Sequence, residues 1–206
     1  MRNLFVALLA LTASVSWSAD GPANYPNSLL EAPATLTEPP APYVRIGLPQ
    51  IKLEKTTLSD VANRTGGILV AEGRGLFRRN LLCLTGTENG RPMRLWLIAT
   101  DSDRVSEAQL EWIPEGEEAS RACKALPPKS LPIRLGKVGL GMTQKEVLDF
   151  AGPPSMKADD GWHYWFSQRF LHNARGWQEL ELNWLGVLFD KDGRAVRLFN
   201  SQVTNP

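Results

Sequence analysis

Apolar and polar positions along this chain alternate between a helical and a strand period, and the switches mark its elements. Val147, Leu148, Phe150 and Ala151 fall along one side of a short helix. Thr143 with Glu146 forms a capping box at its start. Gly152 suits a left-handed residue past its end, and Pro153 and Pro154 prevent continuation. Thr57, Asp60, Val61, Ala62 and Gly66 repeat this logic over a second short helix. Strands follow each helix. Residues 81–101 are two apolar runs around Asn89-Gly90, the signal of a hairpin. Ala108, Leu110 and Trp112 then alternate with Glu107, Gln109 and Glu111. Further on, 162–166 reads as a strand and 179–189 as a longer one, with Leu180, Leu182 and Trp184 in phase and Gly186 marking a bulge or break. Asp192-Gly193 turns the chain into a last strand at 194–199.

The order helix, then antiparallel meander, thus occurs twice, which predicts an α+β fold of two tandem units, each with short helices packed on a meander sheet. The halves also match in detail. Thr57, Val61 and Gly66 have the spacing of Thr143, Val147 and Gly152, and Ile51-Lys52-Leu53-Glu54-Lys55 parallels Ile133-Arg134-Leu135-Gly136-Lys137. An internal duplication accounts for both. The first repeat is assigned to 43–123 and the second to 131–206, on either side of a Pro-rich break containing Pro127, Pro128 and Pro132. Residues 20–42, with six prolines among small and polar residues, read as a flexible linker.

Residues 1–19 carry Arg2, an apolar run from Leu4 to Val15 and small residues at the spacing of a signal-peptidase site, so a secretory leader is expected. No cysteine follows the run, so neither a lipid anchor nor a membrane span is expected, and the protein is placed in the periplasm or outside the cell. In that oxidising setting Cys83 and Cys123, the only two cysteines, are expected to form a disulfide. With 23 basic and 22 acidic residues and no basic stripe, the composition gives no sign of a nucleic-acid partner.

The glycines around Lys137 invite a phosphate-loop reading, but Gly136 directly precedes the lysine, Val138 follows it, and Gln144 stands where a third glycine belongs. His163 and His172 are the only histidines, and no nucleophile or metal spacing accompanies them. Asp190 and Asp192 read as a turn, since a calcium loop's further ligands are missing. Asn63-Arg64-Thr65, a glycosylation acceptor by pattern, falls inside the first helix. No enzyme, cofactor or metal is therefore expected.

Aromatic surface remains. In 162–166, Trp162, Tyr164 and Phe166 share one face and His163 and Trp165 the other, so both faces carry a large ring. One set belongs to the core and the other offers a protein-binding surface. The candidates are Trp165, His163, Trp177, Trp184 and Trp96. Which face is exposed, and the oligomeric state, stay open.

Gly141, Met142, Thr143, Val147, Gly152, Pro154, Trp162, Tyr164, Phe189, Gly193 and Val196 come in the order of a known pattern. Over about 65 residues this half resembles the SmpA/OmlA (BamE) family, and its helix motif is equally similar to the repeat of the β-lactamase inhibitor protein family. The resemblance implies two units that grip other proteins on a concave sheet, either as an envelope scaffold or as an inhibitor of a periplasmic or secreted enzyme such as a β-lactamase. The first half lacks the Gly-Met and Trp-x-Tyr elements.

Overall fold

The computed structural model describes residues 21–23, 36–47, 50–100 and 102–205. The expected leader lies outside them. Two strands, β1 (Tyr43–Ile46) and β2 (Gln50–Lys52), precede helix α1 (Leu58–Thr65). The meander β3 (Leu69–Glu72), β4 (Arg79–Glu88), β5 (Arg91–Ala99) and β6 (Glu107–Trp112) follows. The short β7 (Lys124–Ala125) and β8 (Ile133–Leu135) lead into helix α2 (Gln144–Ala151). The chain ends with β9 (Met156–Lys157), β10 (Trp162–His172), β11 (Gln178–Phe189) and β12 (Ala195–Asn205).

The tandem α+β expectation is corrected here. Strands dominate, 49% against 12% helix, and the two meanders merge into one nine-stranded sheet of order β3-β4-β5-β6-β12-β11-β10-β9, with β7 parallel to β4. The physical reason is length. Helices of eight residues bury little: α1 contributes Leu58, Val61 and Ala62 to the interior, and α2 only Val147 as a fully buried residue. Strands of 9–12 residues expose far more apolar surface than that can cover. A second sheet, β2-β1-β8, supplies the missing layer with Val44, Ile46, Ile51, Ile133 and Leu135. Because β1 precedes α1 and pairs with β8, this small sheet draws on both proposed repeats.

Local signals do produce the elements foreseen. Thr57 Oγ1 accepts from Asp60 N, and Gly66 closes α1 in the left-handed region. Thr143 and Glu146 make the full capping box on α2. Gly152 departs from expectation: its φ of 73° is paired with a ψ of −168°, so the chain leaves α2 extended. Asn89 and Gly90 both take positive φ, as the tight hairpin between β4 and β5 requires. The matched stretches are alike in backbone too, since Glu54 (φ 57°) takes the left-handed conformation that Gly136 (φ 61°) takes in the second. Gly186 is not a bulge. The register shifts only between Leu188 and Phe189, and Gly186 is needed because an added Cβ would lie 2.1 Å from the ring of Phe199.

The described parts of the Pro-rich 20–42 segment are tied to the sheet. Ala23 N donates to Gln109 Oε1, and Gln109 Nε2 donates back to Ala23 O. Leu36 bridges Ser167 in parallel, Glu38 pairs with Arg169, and Ala41 O accepts from Asn200 Nδ2.

Candidate functional site

Register across six strands decides which face is which. Leu82, Leu97, Ala108, Asn200, Leu185 and Trp165 are cross-strand neighbours in one row, and all but Asn200 belong to the main core cluster. The next row, Cys83, Trp96, Gln109, Phe199, Gly186 and Tyr164, therefore points outward. His163 and Trp165 thus face the interior, and Trp162, Tyr164 and Phe166 face out.

Trp165 is fully buried, and its Nε1–H donates to Gly152 O at 2.9 Å, tying the end of α2 to the sheet. The half-buried His163 lies edge-on to Phe189 at 5.0 Å, opposite Lys157 on β9. Burial, helped by Lys157, holds its pKa below the ordinary 6.5 and keeps the ring neutral near pH 7. His172 is exposed at the end of β10. Asp190 Oδ1 accepts from Asp192 N and Arg194 N, the bonds of a turn. Among the described residues no cluster of three or more His, Cys, Asp or Glu is placed to hold a metal.

The outward face carries two apolar clusters. Trp96 packs with Leu81, Cys83 and Ile98, against the Cys83–Cys123 disulfide. Tyr164, Phe166, Trp184 and Phe199 form the other, with Trp162 and Leu182 against it. Trp162 stacks on Tyr164 at 5.9 Å and Phe166 on Trp184 at 5.0 Å. Burial, with Asp160 adding to it, pushes the Tyr164 hydroxyl up to about 12. Of the five binding candidates, Trp165, Trp96 and Trp184 are thus buried and offer a partner no surface, while His163 is half-covered.

Only Trp177 stands out, 64% exposed. It follows the turn between β10 and β11, where Asn173 Oδ1 accepts from Arg175 N and Trp177 N and the Arg175 guanidinium lies 5.9 Å from the indole. On β10 and β12 the outward row continues into Phe170, 62% exposed, and Val203, with Leu180 and Leu182 half-buried between them. Phe170 and Val203 lie beyond the ends that the sequence pattern gives their strands, Phe166 for β10 and Phe199 for β12. The period-two series Trp162, Tyr164, Phe166 already points to position 170, with only Gln168 interrupting it. The outward aromatic face is thus buried along its middle and open at Phe170 and Val203, and Trp177 stands apart from it on the hairpin turn.

Glu107 shares this face, between Ile98 and Ser201 in register. Burial pushes its carboxyl above the ordinary 4.5, against the lowering effects of the Gln109 amide and Arg79. With the folded value raised, its contribution to stability is complete below the unfolded value and is lost as pH rises through the folded one. Glu107→Gln is expected to change stability little at about pH 4 and to stabilise progressively toward about pH 7. Denaturant midpoints at the two pH values check this, and a difference that does not vary with pH would refute it.

Searched against protein-family models, curated proteins and solved structures, the chain matches none of them.

Proposed function

We propose that this chain is a non-enzymatic binding protein of the cell envelope, exported to the periplasm or beyond, which engages another protein through the exposed aromatic side chains at the end of the β10–β11 hairpin. Trp177 carries the reading. A tryptophan 64% exposed on a turn pinned by Asn173 is costly to leave in water and cheap to order on binding. Phe170 and Val203 add exposed apolar side chains on the outward face of the neighbouring strands β10 and β12. The Cys83–Cys123 bridge suits an oxidising compartment, and the resemblance of about 131–203 to the SmpA/OmlA (BamE) family points to the same class of role.

The test is a Trp177→Ala, Phe170→Ala double variant. Both side chains are mostly exposed, so the melting temperature is expected to stay near wild type. Affinity for the partner that co-purifies with wild type from an envelope extract is expected to fall by about 30-fold or more, as for anchor aromatics worth about 2 kcal/mol. Unchanged affinity in a folded double variant defeats the proposal.

A further inference from the structure

The two ends of the large sheet are finished differently. At the β10 end the edge is occupied: β9 pairs with His163 and Tyr164, and beyond it Leu36 N donates to Phe166 O in a parallel bridge. Two residues further along that segment, Glu38 reaches Arg169 at 2.8 Å. The chain thus shows how an extended stretch with an acidic residue docks on its own sheet edge beside an arginine.

At the other end β3 pairs with β4 through Leu69–Leu82 to Glu72–Arg79, and its far edge has no strand partner among the described residues. Every side chain of β3 is exposed. Leu69 and Val70, each 40% exposed, point to opposite faces, Ile68 before them is 63% exposed, and Phe77 just beyond is 87% exposed. Natural sheet edges are usually blunted by an inward charge, a proline or a bulge. From Ile68 to Ala71 there is no charge and no proline, and the β3–β4 register runs without a shift.

The ends of this edge are cationic. Arg74 and Arg78 are exposed past its C-terminal end and have no ion pair among the described residues, whereas Glu72 is held by Arg79 at 2.9 Å. Lys124 approaches Gly66 just before the N-terminal end. A second copy pairing on this edge would bring two sets of these cations together, whereas an acidic segment would neutralise them.

We infer that β3 is a docking edge for an extended segment of another protein, added as a further strand, apolar at its centre and acidic at its flanks. Main-chain hydrogen bonds to the free edge supply the affinity, Ile68, Val70 and Phe77 supply apolar contacts, and Arg74 and Arg78 select the acidic flanks. This surface lies at the opposite end of the strand order from Phe170 and Trp177, so it stands whether or not the hairpin binds a partner.

The experiment uses two synthetic peptides with one Val-Thr-Val-Thr-Val centre, flanked by Asp-Asp in one and Lys-Lys in the other. Fluorescence anisotropy reads binding to the full chain, and hydrogen exchange reads the amides of Leu69–Glu72. The acidic peptide is expected to bind, to slow exchange at those amides, and to weaken as salt rises. An Arg74→Glu, Arg78→Glu variant, which leaves the apolar edge intact, is expected to bind it roughly tenfold more weakly and to prefer the basic peptide. The inference is overturned if neither peptide slows exchange in β3, or if both bind equally. It is also overturned if the chain alone is a dimer whose β3 amides are protected and become exposed on dilution, since a second copy then fills the edge.

Discussion

The Trp165→Ala variant is expected to lose about 3–5 kcal/mol of folding stability, the range for removing a buried large aromatic. Trp165 is the largest fully buried side chain among the described residues, packed in the main core with Leu185 beside it in register, so its loss leaves a void that rigid sheet backbone does not close. Gly152 O, which is only partly buried, also loses its donor. Against the total of about 5–15 kcal/mol usual for a domain, this variant unfolds readily at low denaturant. Trp165→Phe keeps part of the packing but removes the Nε1–H together with part of the ring system, so an intermediate loss of about 1–3 kcal/mol is expected for it. Equilibrium unfolding in urea measures both. A Trp165→Ala loss below about 1 kcal/mol would mean that this ring is not the support the geometry describes.

The second large effect is expected from Cys83→Ala with Cys123→Ala. The bridge spans a sequence separation of 40, and the chain-entropy relation puts its contribution at roughly 4 kcal/mol. Its position adds to the case. Cys83 is buried beneath Trp96, Leu81 and Ile98, and Cys123 immediately precedes β7, whose two residues pair with Leu84 and Thr85. Such a short parallel strand has little to hold it, so loss of the bridge is expected to free β7 as well as destabilise the whole. Midpoints of unfolding with and without a reductant, and exchange at Lys124 and Ala125, test this. A midpoint insensitive to reductant would show that the bridge does not constrain the unfolded chain.

Much of the local architecture was legible. The Thr143–Glu146 capping box, the Thr57 cap, the Asn89-Gly90 turn and the Asp190–Arg194 turn are each settled by contacts within a few residues. So is the alternation of Ala108, Leu110 and Trp112 against Glu107, Gln109 and Glu111. The pairing of Cys83 with Cys123 follows from there being no other choice.

The α+β reading failed because segment patterns say where helices and strands are and not how much surface each must cover. The elements that close the core, β1 (Tyr43–Ile46) and β8 (Ile133–Leu135), are four and three residues long, too short for any periodicity to register. Gly186 was likewise read as a local irregularity, whereas its cause is a ring on the neighbouring strand, thirteen positions on in sequence.

By itself, then, the sequence determined the Thr57 and Thr143 caps, the Asn89-Gly90 and Asp190–Arg194 turns, the central part of the longer strands and the disulfide, since each depends on near neighbours or on a unique partner. Only the tertiary structure decided that the meanders share one sheet, that β3 ends its strand order among the described residues, and which aromatic face is interior. In Trp162–Phe166 both faces are apolar, so the segment has no preference of its own. The choice falls to the small sheet and the helices, which cover Trp165 and leave Tyr164 outward, because a strand's facing is fixed by what packs against its neighbours.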